Sequence, residues 1–181
     1  MRQTETSYKQ LEKDFTEKFA KLGTKGEYER AVLSTCADGH VTSRKQRFIA
    51  DGLTLYCYAI RGQRKYEQIA ENPNIAVNID YIQVEGTASL EGHPLEEKNS
   101  GFLKVFQETQ PDAYEEYNNN IRDPEIDVAL VKIKPSRIAL LGPVDGESCI
   151  SILNVKKGEA YRVFEYTKVS KDHSDAPAYW E

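Results

Sequence analysis

Apolar positions in the first part of the chain fall at helical spacing. Tyr8, Leu11, Phe15, Phe19 and Leu22 recur every three or four residues with Lys and Glu between them, which predicts an amphipathic helix. Thr6 or Ser7 stands where an N-cap belongs, and Gly23 where a helix stops. Such a stripe has to be buried, against the rest of the chain or against a partner. The period then changes. Residues 31–37, 41–50 and 53–60 read as strands, separated by Asp38-Gly39 and Asp51-Gly52. Both residue types tolerate positive φ, so Asp-Gly between strand-like runs predicts tight turns and an antiparallel meander.

Further along, residues 62–72 form a short helical stretch with Tyr66, Ile69 and Ala70 on one face, terminated by Asn72-Pro73. Residues 75–80 and 81–90 are strand-like again, with Gly86 at the place for a bulge. A helical stretch covers about 95–117, is interrupted at Pro111, and has Phe102, Leu103, Val105 and Phe106 on its apolar side. Residues 128–133 and 137–141 predict two strands, or one strand bent around Pro135, and 150–153 with 161–166 a hairpin through Lys157-Gly158. Beyond Lys168 the chain is polar and expected to be poorly ordered unless Tyr179 and Trp180 dock. Six or seven antiparallel strands with helices inserted predict a mainly β protein, a closed barrel with helical decoration.

Composition narrows the class. A chain of 181 residues, 39% hydrophobic and 29% charged, suits one globular domain with an appended arm. No apolar run exceeds six residues, Leu55 to Ile60, so neither a membrane helix nor a secretory signal is expected. Cys36, Cys57 and Cys149 cannot all pair and read as buried thiols of a reducing cytoplasm. A net charge of -5 argues against nucleic acid as the main partner. Cys36 and His40 are too few for a structural metal site, and no G-x-S-x-G elbow or acid–base pair appears, so no catalytic side chain and no metal are assigned.

Charge is concentrated in one window. Between Arg44 and Lys65 lie six basic residues (Arg44, Lys45, Arg47, Arg61, Arg64 and Lys65) and one acid, Asp51. Arg61-Gly62-Gln63-Arg64-Lys65 falls where a strand ends and a helix begins, so unpaired N–H groups and the helix dipole already favour an anion there. Cations in the first turn are unfavourable for the helix itself, and a bound phosphate would offset that conflict. Arg44, on a neighbouring strand, can approach the same place.

These residues also carry a family resemblance. Val32-Leu33-Ser34-Thr35, Asp38-Gly39, Arg44, the run Asp51 to Tyr58, Arg64-Lys65 and Ile69 to Pro73 together resemble the FMN-binding split barrel of the pyridoxamine 5'-phosphate oxidase-like family. The likeness covers about residues 27–142, with Gly86-Thr87-Ala88 similar to the family's next strand. It implies an antiparallel split β-barrel, which divides the chain into the N-terminal helix in 1–24 read from its periodicity, the barrel over 25–168 and the polar tail in 169–181. It implies a cytoplasmic homodimer with FMN at the subunit interface: Arg64 and Lys65 on the phosphate with Gln63 beside them, Arg44, Lys45 and Gln46 along the phosphate and ribityl side, and Tyr58 and Ala59 facing the ring. Gln63 stands where the family commonly has Ser or Thr. The end, Ser174 to Glu181, lacks the paired arginines and histidine of true pyridoxamine phosphate oxidases, so vitamin B6 oxidation is not implied. The expected activity is a flavin-dependent oxidation or reduction of a small molecule. The alternatives are a flavin-binding or sensor module without turnover, or a split barrel that takes haem or a deazaflavin.

Overall fold

The structure, a computed structural model, describes residues 2–23 and 30–164. Ten strands and four helices follow one another as β1 (Arg2–Glu5), α1 (Tyr8–Phe19), β2 (Ala31–Ala37), β3 (His40–Gln46), β4 (Ile49–Asp51), β5 (Thr54–Ile60), α2 (Arg64–Glu71), β6 (Asn74–Ile79), β7 (Ile82–Leu90), α3 (Ser100–Thr109), α4 (Pro111–Arg122), β8 (Val128–Val144), β9 (Glu147–Asn154) and β10 (Glu159–Phe164). All pairings are antiparallel, in the order β1-β10-β9-β8-β7-β6-β2-β3, with β4 and β5 branching from β8.

The branch exists because β8 is long and bent. Its first part, Val128 to Ile133, pairs with β5, while Arg137 to Val144 pairs with β9. β7 runs beside both parts, with a register shift between Glu85 and Gly86 opposite Pro135. Proline cannot donate to the ladder, and the bulge absorbs the missing bond. Gly86 is required there, since a Cβ would sit 2.4 Å from the Lys134 carbonyl oxygen, a backbone atom that cannot swing away. Residues 128–131 are buried on both faces, which explains their unbroken apolar run. Val131 and Ile133 face the barrel core, whereas Leu130 faces α3 and α4.

The barrel does not close, which corrects the closed barrel expected from the strand pattern and agrees with the split barrel implied by the resemblance. Among the described residues β3 pairs only with β2, and β4 only with β5. The single strand expected over 41–50 is broken at Arg47-Phe48, where Phe48 turns into the core at 1% exposure. The chain then leaves β3 and pairs with β5 instead.

The helical expectations hold with shifted bounds: α1 and α2 are shorter than expected, while the stretch expected to end near 117 starts at Ser100 as α3 and continues as α4 to Arg122. Ser7 caps α1, its hydroxyl accepting from the Gln10 N–H at 3.3 Å. Leu11, Phe15 and Phe19 join Leu33, Leu55, Val77 and Ile133 in the barrel core, so the apolar stripe of α1 is covered by its own chain. Pro111 opens α4, where its missing N–H costs nothing. Just before it, buried Gln110 donates through Nε2 to the carbonyls of Leu22 and Phe48, both at 2.8 Å, tying the end of α1 and the β3–β4 corner to the α3–α4 junction. A second cluster packs outside the barrel, with Ile49, Phe102, Phe106, Ala113 and Leu130 buried and Tyr56, Tyr58, Tyr114 and Tyr117 around them. Four tyrosines ring this outer cluster, while Tyr8 and Tyr66 pack against the barrel core.

β1 had no signal in the sequence, because its four residues are largely exposed and show no apolar alternation. It pairs with β10, Arg2 opposite Phe164, and the Arg2 guanidinium lies 4.3 Å from that ring's centroid. Asp38 and Gly39 both take positive φ, as the turn signal requires, and Asp145-Gly146 closes the β8–β9 hairpin in the same way. The polar tail expected over 169–181, like the Tyr161–Tyr166 strand beyond Phe164, lies outside the described residues.

Candidate cofactor site

α2 lies where the barrel is split, and its side chains bridge the gap. Side chains alternate along a strand, so Thr42, Arg44 and Gln46 of β3 share one face, paired in register with the inward Thr35, Leu33 and Ala31 of β2. Gln68 of α2, 4% exposed, meets them. Its Oε1 accepts from Thr35 Oγ1 at 2.7 Å and Thr42 Oγ1 at 2.6 Å, and its Nε2 donates to the His40 carbonyl at 3.0 Å. Arg44 completes this network, donating through Nη1 to Thr35 Oγ1 at 2.7 Å and through Nη2 to Thr42 Oγ1 and to Gln68 Oε1.

Lys65 spans the split itself. Its ammonium donates to Gln46 Oε1 on β3 at 2.7 Å and to the Tyr58 carbonyl on β5. Burial lowers its pKa from the ordinary lysine value, the Cys57 thiol working against that shift and the Arg44 guanidinium with it. Burial also lowers the pKa of Arg44. Three of the residues singled out in the sequence, Arg44, Gln46 and Lys65, thus meet with the Tyr58 backbone in one polar seam between α2, β3 and β5.

The remaining candidates are placed differently. Lys45 projects from the opposite face of β3, exposed and in register with Val32. Ala59 is 1% exposed with its methyl in the barrel core. The Tyr58 ring packs among Phe102, Phe106 and Tyr117 on the outer side of β5, and its buried hydroxyl has no hydrogen-bond partner. Gln63 and Arg64 are exposed at the start of α2. Gln63 makes no side-chain bond to the leading N–H groups of the helix. Arg64 makes no hydrogen bond or ion pair with any described residue. The cation surplus in the sequence is therefore partly spent inside the fold. Arg61 binds Asp127 at 2.6 Å and stacks over Tyr66, and Arg47 donates to the Gly23 carbonyl at 3.0 Å.

Two residues outside the sequence-derived set belong to this seam, Gln68 and Cys57. Gln68 carried only a helical position as signal, because its partners are 24 to 33 residues away. Cys57 is fully buried, and burial pushes its thiol up to about 12 against the opposing pull of Lys65 and Arg44. Its folded value lies above the ordinary thiol value of 9.0, so the folded chain keeps a proton that the unfolded chain releases. Stability from this group is complete below about pH 9 and falls as the pH rises toward 12, by up to about 1.4 kcal/mol per unit. Urea denaturation between pH 8.5 and 10 should therefore show a shallower loss of stability for Cys57→Ala than for the parent; equal slopes would count against the buried thiol. Cys36, by contrast, is half-buried near the turn after β2, which corrects the expectation that all three thiols are buried. His40 bonds the Asp38 carbonyl through Nδ1 at 3.0 Å, as a turn residue.

What this arrangement can do is bind an anion. The start of α2 combines uncapped N–H groups, an unpaired guanidinium and a helix dipole of the right sign, beside a rigid seam that holds β3 and β5 at a set separation.

Comparison with known proteins agrees with this fold. The sequence model of the pyridoxamine 5'-phosphate oxidase family matches residues 17–142, and the chain belongs to that family. Among curated proteins none matches. The chain is similar in structure to Campylobacter jejuni ChuZ (15% identity, 93% of this chain and 70% of that one, TM-score 0.66). It is also similar to a Clostridium acetobutylicum protein related to general stress protein 26, of the pyridoxinephosphate oxidase family (14% identity, 84% and 99%, TM-score 0.55). A third is HutZ, the haem storage protein of Vibrio cholerae (12% identity, 67% and 88%, TM-score 0.51). These likenesses establish the split-barrel fold. No helix among the described residues is long and apolar enough to cross a membrane.

Proposed function

We propose that this chain binds FMN by its phosphate at the start of α2 and acts, as a cytoplasmic homodimer, as a flavin-dependent oxidoreductase on a small molecule. The observation that carries the reading is the open start of α2, where Arg64 has no partner among the described residues and Gln63 leaves the leading N–H groups uncapped. A phosphate dianion satisfies both, and nothing else in the described fold does. The residues present thus fit the group. Lys65 and Arg44 add positive potential from behind while they hold the seam together. Lys45, exposed on the opposite face of β3, is not brought to the start of α2, and Ala59 offers only its backbone. FMN, once bound, supplies hydride and single-electron chemistry, and the protein supplies binding, orientation and field. The homodimer part of the reading rests on the family resemblance and not on α1, whose apolar stripe is already covered.

One preparation tests the reading. Protein purified without added flavin, or after addition of FMN, should show flavin absorption bands in the blue and sediment at twice the 20.6 kDa chain mass. Under anaerobic conditions NADH or NADPH should bleach those bands and oxygen restore them. If dithionite bleaches the flavin and neither nucleotide does, the oxidoreductase reading gives way to a flavin-binding module. A Soret band with no affinity for FMN would replace the flavin with haem.

A further inference from the structure

A second site lies where α1 crosses the strands at the other end of the sheet order. Between α1 and β8–β10 there is a cavity of about 390 Å³, within the range of small-molecule sites, and it shares no residue with the seam at α2. Its sheet wall is a row across three strands, because Leu140 of β8 pairs with Ser151 of β9 and Ser151 with Arg162 of β10. Paired residues project to the same side, so one apolar side chain, one hydroxyl and one guanidinium stand next to one another. The helix wall is apolar at its base, formed by Leu11 and Phe15.

The polar groups of that row are under-used. Arg162 Nε is buried and has no hydrogen-bond partner. Ser151 is 5% exposed, and its hydroxyl has only the Cys149 sulfur for company, at 4.0 Å. The Arg162 side chain is half-buried, but its Nε–H lies out of reach of water and calls for an acceptor, and a charged acceptor meets the requirement best. Lys18 of α1 at the rim adds positive charge, while Asp14 and Glu17 are the acids of the same helix that could compete for Arg162.

We propose that this cavity binds a small amphipathic carboxylate, its carboxylate on Arg162 and Ser151 and its hydrocarbon part against Leu140 and Val144, the apolar lining that α1 leaves uncovered. The ligand needs both halves: the carboxylate answers the buried Nε–H of Arg162 and the buried Ser151 hydroxyl, and the hydrocarbon covers Leu140 and Val144. The inference is independent of the flavin reading, since it concerns different residues.

Octanoate is the probe, with acetate as headgroup alone and octanol as chain alone. Isothermal titration of the parent should show saturable octanoate binding at one site per chain, with acetate and octanol each at least 10-fold weaker. Arg162→Gln should weaken octanoate by roughly 10- to 100-fold, the range of a charge-assisted bond. Val144→Trp fills the cavity from its edge and keeps the guanidinium, and it too should abolish binding; it provides the answer if Arg162→Gln fails to fold. No octanoate binding by the parent would overturn the proposal. Octanoate binding that survives both substitutions would overturn it as well.

Discussion

Phe106→Ala should lower the stability of the folded chain by about 3–5 kcal/mol and its melting temperature by roughly 10 °C. Phe106 has no exposed surface and sits at the centre of the cluster beneath α3 and α4. Its ring centroid is 5.4 Å from that of Tyr114, 5.8 Å from Phe102, 6.2 Å from Tyr58 and 6.3 Å from Tyr117. Removing the ring forfeits its transfer free energy and leaves a cavity. The neighbours cannot close over it easily, because Gln110 pins the α3–α4 junction to the Leu22 and Phe48 carbonyls. The effect should reach the seam at α2, since Tyr58 packs its ring in this cluster while its carbonyl receives Lys65. Phe106→Leu keeps most of the apolar volume and should cost clearly less. Urea denaturation of both variants decides the matter, and a loss below about 1 kcal/mol for the alanine variant would mean that α3 and α4 do not pack on β5 as described.

Arg64→Ala should weaken FMN binding by about 10- to 150-fold, equivalent to roughly 1.5–3 kcal/mol, and leave riboflavin binding little changed. The difference between the two ligands is the phosphate alone, so their ratio reads the contact without disturbance from the ring. Arg64 suits this test because it is exposed and makes no hydrogen bond within the described fold, so its removal should not move the melting temperature of the flavin-free protein. Lys65 is a poorer probe. Its loss leaves Gln46 Oε1 and the Tyr58 carbonyl without their donor, and any change in affinity would be mixed with a change in the seam. Equal losses for FMN and riboflavin in Arg64→Ala would remove the phosphate from the start of α2.

How far the site was legible follows from the sequence distance of each contact. The helix start at Arg64 is local, and five consecutive residues, Arg61 to Lys65, announce it. The fate of the other cations is not local. Arg61 is paired across 66 residues with Asp127, Arg44 across 24 with Gln68 and Lys65 across 19 with Gln46. A count of basic residues in a window cannot distinguish a cation awaiting a ligand from one already committed to the fold. Strand alternation adds a second division: Arg44 and Lys45 are adjacent in sequence and therefore point to opposite faces of β3.

The sequence by itself determined the elements whose signals are short-ranged: the α1 stripe, the Asp38-Gly39 turn, the bulge at Gly86 and the helix break at Pro111. Each depends on steric limits of one or two residues, or on a period that burial imposes along a single element. Only the tertiary structure decided where the sheet opens, between β3 and β4, that β1 adds to its far edge and that α2 fills the split with Gln68 and Lys65. Alternation tells which face of a strand is buried, but not which strand lies beside it. Closure is set by where the 17-residue β8 bends and by which edge each remaining strand can reach, and those are properties of the assembled sheet.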